Sequence, residues 1–205
     1  MTPYFETELG KLYHGDCLEI MPELEPVDLV LTDPTYGLDK KWQGGTWFTR
    51  GVYKNSLSWD KKQPEAVEYI YNLKVPSIIW GGVHYPLPPA RCHLAWVKTN
   101  SVPTMADFEL AWTNFDRPSK KFFHPCNGWK RKHPTEKPIG LIMWCFSFLP
   151  ERGVTLDSFF GSGTTAIACE KLNRRWIGIE ISEEYCAIAK ARIIRETQQM
   201  KIPGF

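Results

Sequence analysis

The sequence predicts an α/β fold in which a mostly parallel, seven-stranded sheet carries helices on both faces. Seven short runs rich in Val, Ile, Leu and Trp recur along the 205 residues, and helical patterns lie between several of them. The runs are nearly continuous in apolar residues, which is typical of strands that are covered on both faces. The length and the interspersed helices favour a single domain over residues 1–205.

The elements follow one another in a regular order. The predicted strands cover residues 10–16, 27–33, 76–82, 92–98, 108–115, 153–160 and 175–181. The predicted helices cover residues 63–74, 136–149, 163–173 and 182–199. Ser182 is expected to cap the last helix, because Glu183 and Glu184 follow it in the first turn, where carboxylates favour the helix dipole. Residues 38–60 and 116–135 lack periodicity and predict long functional loops.

Composition and charge exclude several classes of protein. The net charge of +2 permits a nucleic-acid partner without requiring one. The longest apolar stretch, 139–149, is too short to span a bilayer, and the N-terminus lacks a signal-peptide pattern, so a cytoplasmic protein without a membrane partner is expected.

The six cysteines form no CxxC pair and predict buried thiols. Five Cys and His residues match no zinc-site spacing, so no metal is expected: Cys92, His93, His124, Cys126 and His133.

A glycine loop lies within the stretch LDSFFGSGTTAIACEKL. A strand ends at Asp157, the turn contains Gly161 and Gly163, and a helix follows, so backbone amides point at any ligand above the turn. Seventeen residues after Gly163, the next strand ends at Glu180, where a carboxylate can accept hydrogen bonds from both ribose hydroxyls of a nucleoside. Dinucleotide-dependent oxidoreductases use a similar loop, but their third glycine is missing here. An ordinary tight turn is the alternative.

The stretch LTDPTYG supplies a second candidate loop, at the end of a predicted strand. An exocyclic amine of adenine or cytosine is a poor nucleophile, and it needs two rigid acceptors, an aromatic plate and a dry site. The Asp33 carboxylate, the Pro34 carbonyl and the Tyr36 ring would provide them. A plain turn after a strand would show the same residues.

Together, the two loops resemble those of the β-type DNA amino-methyltransferases, in which the catalytic loop precedes the cofactor loop. The resemblance extends over nearly the whole chain through YHGDCLEIMPELEPVDLVLTDPTYG, WGGVHY, ADFELAWTNF and HPTEKP, and is strongest to small stand-alone methylases of phages and prophages. It implies a Rossmann-like fold, S-adenosylmethionine as cofactor and double-stranded DNA as substrate. A homodimer remains open, since dimers are common among these enzymes.

The resemblance also implies residue roles. Asp33, Pro34 and Tyr36 match the catalytic loop, and Lys137 would pair with the carboxylate at the methionine end of the cofactor. The residues that match the cofactor site are Asp16, Cys17, His133, Thr135, Lys137, Asp157, Phe159, Gly161, Gly163, Thr164, Thr165 and Glu180. Basic residues of the two irregular loops are expected to contact the DNA backbone, namely Lys40, Lys41, Arg50, Lys54, Lys120, Lys121, Lys130 and Arg131.

Two positions depart from the family pattern. Thr35 and Ser158 each stand where the family usually has proline. Thr35 removes none of the catalytic groups but relaxes the backbone of the loop. Asp33 favours adenine, since the family's cytosine-N4 enzymes usually carry Ser there. The expectation is therefore an adenine-N6 DNA methyltransferase, with a cytosine-N4 enzyme or a catalytically impaired relative as alternatives.

Overall fold

A computed structural model describes residues 1–36, 63–101, 103, 106–126 and 137–200. Within these residues it contains the strands β1 (Phe5–Glu6), β2 (Gly10–His14), β3 (Leu29–Thr32), β4 (Ser77–Trp80), β5 (His93–Lys98), β6 (Phe108–Thr113), β7 (Lys120–His124), β8 (Val154–Asp157) and β9 (Arg175–Glu180). They form one sheet in the order β1-β2-β9-β8-β3-β4-β6-β5-β7. Five of the eight strand pairings are parallel, so the prediction of a mostly parallel sheet is confirmed.

The strand count of seven is wrong, because the described chain forms nine. All seven predicted strands are present, and β1 and β7 are additional. β7 lies inside the stretch 116–135 that was expected to be irregular. β7 is the outermost strand of the sheet on one side. Its sequence KKFFH begins with two exposed lysines, so it lacks the apolar run that marks the covered strands. The other expected loop, 38–60, lies outside the described residues.

Five helices flank the described sheet: α1 (Cys17–Ile20), α2 (Pro64–Asn72), α3 (Ile139–Phe146), α4 (Thr164–Lys171) and α5 (Glu183–Met200). The four helices predicted from sequence are confirmed, and the one-turn α1 is additional. Ser182 caps α5 as expected, because the Tyr185 N–H donates to its Oγ at 3.4 Å. No helix in the described ranges combines the length and the apolar character that crossing a membrane requires.

The sheet separates two hydrophobic cores. In β3, the side chains of Leu29 and Leu31 enter the core that contains α3, α4 and α5, whereas Val30 enters the core beneath α1 and α2. This alternation follows from the two-residue period of a strand. Helices on both faces are therefore confirmed, and all six cysteines are buried free thiols.

Strand order places the candidate site at one edge of the sheet. β3 and β8 are parallel neighbours, yet the chain continues from β3 to β4 on one side and from β8 to β9 on the other. Such a reversal opens a crevice at the carboxyl ends of the two strands, where α/β proteins bind ligands. β6 runs antiparallel to β4, so its first residues reach the same edge.

Candidate active site

In the LTDPTYG stretch, residues 33–36 follow β3 directly and are held by three aromatic or polar contacts. The Tyr36 hydroxyl donates a hydrogen bond of 2.7 Å to Asp33 Oδ1. The Tyr36 ring lies 5.1 Å from the His84 ring, centroid to centroid. The Tyr85 hydroxyl donates to the Thr35 carbonyl at 2.5 Å. The structure thus holds the Asp33 carboxylate and the Tyr36 ring in one fixed unit, with a quarter of the Asp33 side chain exposed.

Lys137, Glu109 and Lys98 extend this unit into a chain of alternating charges. The Lys137 ammonium donates to Asp33 Oδ2 and lies 3.3 Å from Glu109 Oε2. Lys98 contacts the other Glu109 oxygen, Oε1, at 2.7 Å. Both lysine side chains are buried, at 5% and 8% exposure. Glu109 is the second residue of β6, and the antiparallel pairing of β6 with β4 brings this end of the strand to the site, where Glu109 contacts Lys137.

The ionisation of Asp33, Glu109 and Lys137 is shifted by burial and by neighbouring charges. Burial raises the pKa of Asp33, although Lys137 opposes the shift. Burial alone would also raise the pKa of Glu109, but Lys137 and Lys98 outweigh it and hold that pKa below its usual range. Burial alone would lower the pKa of Lys137, and the two neighbouring carboxylates carry it above its ordinary value instead. The protonation of each of these three groups therefore depends on the charges of its neighbours.

The glycine loop lies at the carboxyl end of β8 and leads into α4. Gly161 and Gly163 have φ values of +53° and +79°, in the left-handed region that favours glycine. A Cβ added at Gly161 would meet no atom within 4 Å, so there is open space above the loop. Thr164 and Thr165 begin α4 and are buried. Phe159 packs at the margin of the core beneath α1 and α2.

Asp157 connects the glycine loop to β3. The Thr32 hydroxyl of β3 donates to Asp157 Oδ1 at 2.8 Å, and the Phe159 N–H donates to the same oxygen at 3.2 Å. Burial raises the pKa of Asp157 to about 6, while the side chains of Thr165 and Thr32 oppose the shift. The carboxylate links the ends of β3 and β8, the two strands that flank the crevice.

Glu180 ends β9 and borders the glycine loop on its far side. Its Oε2 accepts from the Gly161 N–H at 2.7 Å, and its Oε1 accepts from the Ser182 N–H at 2.9 Å. Burial raises the pKa of Glu180, and these backbone donors oppose the shift. Asp16 follows β2, the neighbour of β9, and accepts from the Leu18 N–H at 2.9 Å, beside the buried Cys17.

Arg192 is a site residue that sequence reasoning missed. Its side chain is buried beneath the glycine loop, and Nη1 donates to the Ser162 carbonyl at 2.7 Å and to the Ser162 hydroxyl at 2.5 Å. Thr164 Oγ1 lies 3.5 Å from the same nitrogen. An arginine in a long helix carries no sequence signal for this role. Glu109 did carry one, since it interrupts the apolar strand FELAWT.

The crevice brings together most of the site residues expected from sequence. Those that meet at this edge of the sheet are Asp16, Cys17, Asp33, Pro34, Tyr36, Lys137, Asp157, Phe159, Gly161, Gly163, Thr164, Thr165 and Glu180. Lys120 and Lys121 are exposed at the start of β7 and lie apart from this group. The remaining expected residues lie outside the described ranges, namely Lys40, Lys41, Arg50, Lys54, Lys130, Arg131, His133 and Thr135.

Comparisons with known proteins agree with this geometry. A family model described as DNA methylase, for N6 and N4 enzymes, matches residues 59–191. The chain is 28% identical to the type II methyltransferase M2.MboI of Moraxella bovis, over 97% of this chain and 93% of that protein. The fold is similar to that of the M1.HpyAVI–SAM complex, with a TM-score of 0.61 and 24% identity over 90% of this chain and 99% of the other. It is also similar to the cytosine-N4-specific PvuII DNA methyltransferase, with a TM-score of 0.62 and 17% identity over 97% of this chain and 94% of the other.

Proposed function

The chain belongs to the family of N6- and N4-directed DNA methylases, and we propose that it transfers a methyl group from S-adenosylmethionine to N6 of adenine in double-stranded DNA. The observation that supports this most is the position of two loops at adjacent strand ends. Asp33 and Tyr36 follow β3, the glycine loop follows β8, and Asp157 joins the two strands. A methyl donor in one loop and an amine in the other would meet in the crevice between them.

The glycine loop fits the proposed cofactor. Open space lies above Gly161, and the Glu180 carboxylate, at the neighbouring strand end, is the acceptor proposed for the ribose hydroxyls. The Ser158 hydroxyl is buried in this loop without a hydrogen-bond partner among the described residues. A bound ligand could satisfy this hydroxyl, which the family's usual proline lacks. When bound, S-adenosylmethionine would supply a methyl group made electrophilic by its sulfonium.

The catalytic loop is suited to activating the amine. An ionised carboxylate offers about four acceptor sites, and Tyr36 and Lys137 occupy two of those on Asp33. Asp33 and the Pro34 carbonyl can therefore accept the two N–H groups of the amine, which favours pyramidal nitrogen and directs its lone pair. The Tyr36 ring, fixed at its hydroxyl, would stack on the target base after the base leaves the duplex. The expectation that Lys120 and Lys121 contact the DNA is not carried into this proposal, because they begin β7 beside the start of β5, at the opposite end of these strands from the crevice.

Nucleoside analysis tests the choice of base. Mixed-sequence duplex DNA would be treated with the protein and labelled S-adenosylmethionine, then digested to nucleosides and separated. We expect N6-methyldeoxyadenosine, because the resemblance associates Asp at position 33 with adenine. N4-methyldeoxycytidine alone would show that the chain is a cytosine-N4 enzyme and overturn the adenine proposal. Absence of any labelled nucleoside would overturn the proposal of methyl transfer.

The Thr35→Pro variant tests whether the family's second proline matters. The Tyr85 hydroxyl holds the Thr35 carbonyl, which proline retains, so the variant is expected to keep the loop in place. If proline lowers the free-energy cost of ordering the loop by about 1 kcal/mol, the single-turnover rate would rise by up to about fivefold to tenfold. We expect an unchanged or faster rate in the methyl-incorporation assay. A rate lower by tenfold would show that the Thr35 backbone needs a conformation or an N–H that proline denies.

The Arg192→Met variant tests the support beneath the glycine loop. Met fills similar space but cannot donate to Ser162, so we expect the Kd of S-adenosylhomocysteine to rise by about tenfold, equivalent to roughly 1.4 kcal/mol. Calorimetric titration measures it. Arg195→Met is the matched control, since Arg195 lies on the same helix with half of its side chain exposed. Equal Kd values for both variants would show that Arg192 does not shape the cofactor loop.

A further inference from the structure

The alternating charges Lys98, Glu109, Lys137 and Asp33 form a continuous path across four parts of the fold. Lys98 ends β5, Glu109 is the second residue of β6, and Lys137 precedes α3, whereas Asp33 belongs to the catalytic loop. Each Glu109 oxygen contacts a different ammonium, Oε1 at 2.7 Å and Oε2 at 3.3 Å. Glu109 therefore lies between Lys137, which contacts the Asp33 carboxylate, and Lys98, which contacts Glu109 from the other side.

From this geometry we propose that Glu109 is a positioning residue for methyl transfer, which holds the Lys137 ammonium against the Asp33 carboxylate. The inference rests on the proposed function of the Asp33 loop. Lys98 secures Glu109 from the opposite side. Glu109 need not touch the substrate, since it acts through Lys137.

Because the Lys137 ammonium is buried, its charged form depends on the anionic groups around it. An ammonium with 5% exposure is strongly disfavoured unless anionic groups surround it. Lys137 has two such groups, and its Nζ also lies 5.3 Å from the centre of the Trp80 ring. Without Glu109, Asp33 alone would have to balance the buried charge. The ammonium would then lose both its fixed position and part of the stabilisation of its charged form.

The electrostatics predict opposite changes in the pH profile for two variants. In Glu109→Gln, the pKa of Lys137 falls, because burial lowers it and one raising carboxylate is gone. The alkaline limb of the rate profile should therefore move to lower pH. In Lys137→Met, the pKa of Asp33 rises, because burial is no longer opposed by the ammonium, and the acid limb should move to higher pH.

Other ionisable groups around Asp33 and Lys137 stay the same in both variants. They come from the catalytic loop, β5, β8, α3 and the turn after β4, and are Tyr36, Lys98, Asp157, Cys145, His84 and Tyr85. Each variant removes one charge only. A shift of the acid or alkaline limb of the rate profile can therefore be assigned to the pair of residues that the variant alters. A purely structural role for Glu109 would lower the rate at every pH without moving either limb.

The experiment measures single-turnover methyl transfer from pH 5.5 to 10 at saturating cofactor, together with calorimetric binding of S-adenosylhomocysteine. For Glu109→Gln we expect a rate about tenfold to a hundredfold lower, since misplacing a reacting group by about 1 Å costs up to about 10²-fold. The Kd should change less than threefold, which also shows that the variant folds. Glu68→Gln, at an exposed position of α2, is the matched control and should behave as the wild type.

Three outcomes overturn the inference. The first is an alkaline limb that does not move in Glu109→Gln, whether or not the rate falls. The second is a raised Kd with an unchanged saturating rate in Lys137→Met, which would assign Lys137 to the cofactor carboxylate instead. The third is a wild-type rate in Lys98→Met combined with no loss in Glu109→Gln. A wild-type protein that transfers no methyl group would refute the proposed function itself, and that result is distinct from all three.

Discussion

Replacement of Asp33 by alanine is expected to lower the single-turnover rate of methyl transfer by about a thousandfold. The carboxylate is the charged acceptor proposed for the target amine, and its position is set by the Tyr36 hydroxyl and the Lys137 ammonium. Removing one preorganised polar group from a reaction centre typically costs about 10² to 10³ in rate. The loss should be largest at this residue, because the variant also leaves Lys137 with Glu109 as its remaining close carboxylate.

The measurement is methyl incorporation from labelled cofactor into duplex DNA, with binding of S-adenosylhomocysteine as the test of folding. Asp33→Asn is the matched control, because it keeps the shape and one acceptor oxygen while removing the charge. We expect an intermediate rate for Asn and a Kd close to that of the wild type for both variants. If Asp33→Ala transferred methyl groups as fast as the wild type, the LTDPTYG loop would not be the catalytic loop.

The strands that the sequence predicts differ from those that it misses in how much of each strand is buried and in how long the strand is. β3, β4, β8 and β9 are buried along most of their length, so each appears in the sequence as an apolar run. β7 has no such run, because an edge strand is covered incompletely and here carries Lys120 and Lys121. β1 spans two residues, too few for any periodic pattern.

The same distinction applies to the site. Asp33, Asp157 and Glu180 were predictable because the carboxyl ends of parallel strands meet at one edge, so strand-end carboxylates converge without knowledge of the strand order. Glu109 stands out in the sequence as a charge within an apolar strand, but its place in the site was not predictable. It is the second residue of β6, and only the antiparallel pairing of β4 with β6 brings that end of the strand to the same edge. Arg192 reaches Ser162 across 30 positions of sequence, a contact that depends on how α5 packs.

Gly81→Ala is expected to reduce methyl transfer by about a hundredfold while leaving cofactor binding intact. Gly81 follows β4 with φ of +65°, and an added Cβ would lie 1.9 Å from Tyr36 Cε1. The Gly81 N–H also donates to the Leu110 carbonyl at 2.9 Å, so the backbone is tied to β6 and cannot easily retreat. The ring must therefore move, and its hydroxyl leaves Asp33. A displacement of about 1 Å at such a group costs up to about 10²-fold in rate.

Gly140→Ala supplies the matched control for this prediction. Gly140 lies in α3, where an added Cβ would meet only Phe122 Cζ at 4.0 Å, an ordinary contact. Alanine favours a helix over glycine by about 1 kcal/mol, so this variant should unfold at an equal or higher temperature and keep its rate. Gly81→Ala should lose about 1–2 kcal/mol of stability from the left-handed backbone alone. A wild-type rate in Gly81→Ala would mean that catalysis does not need the Tyr36 ring in this position, since the added methyl and the ring cannot share that space.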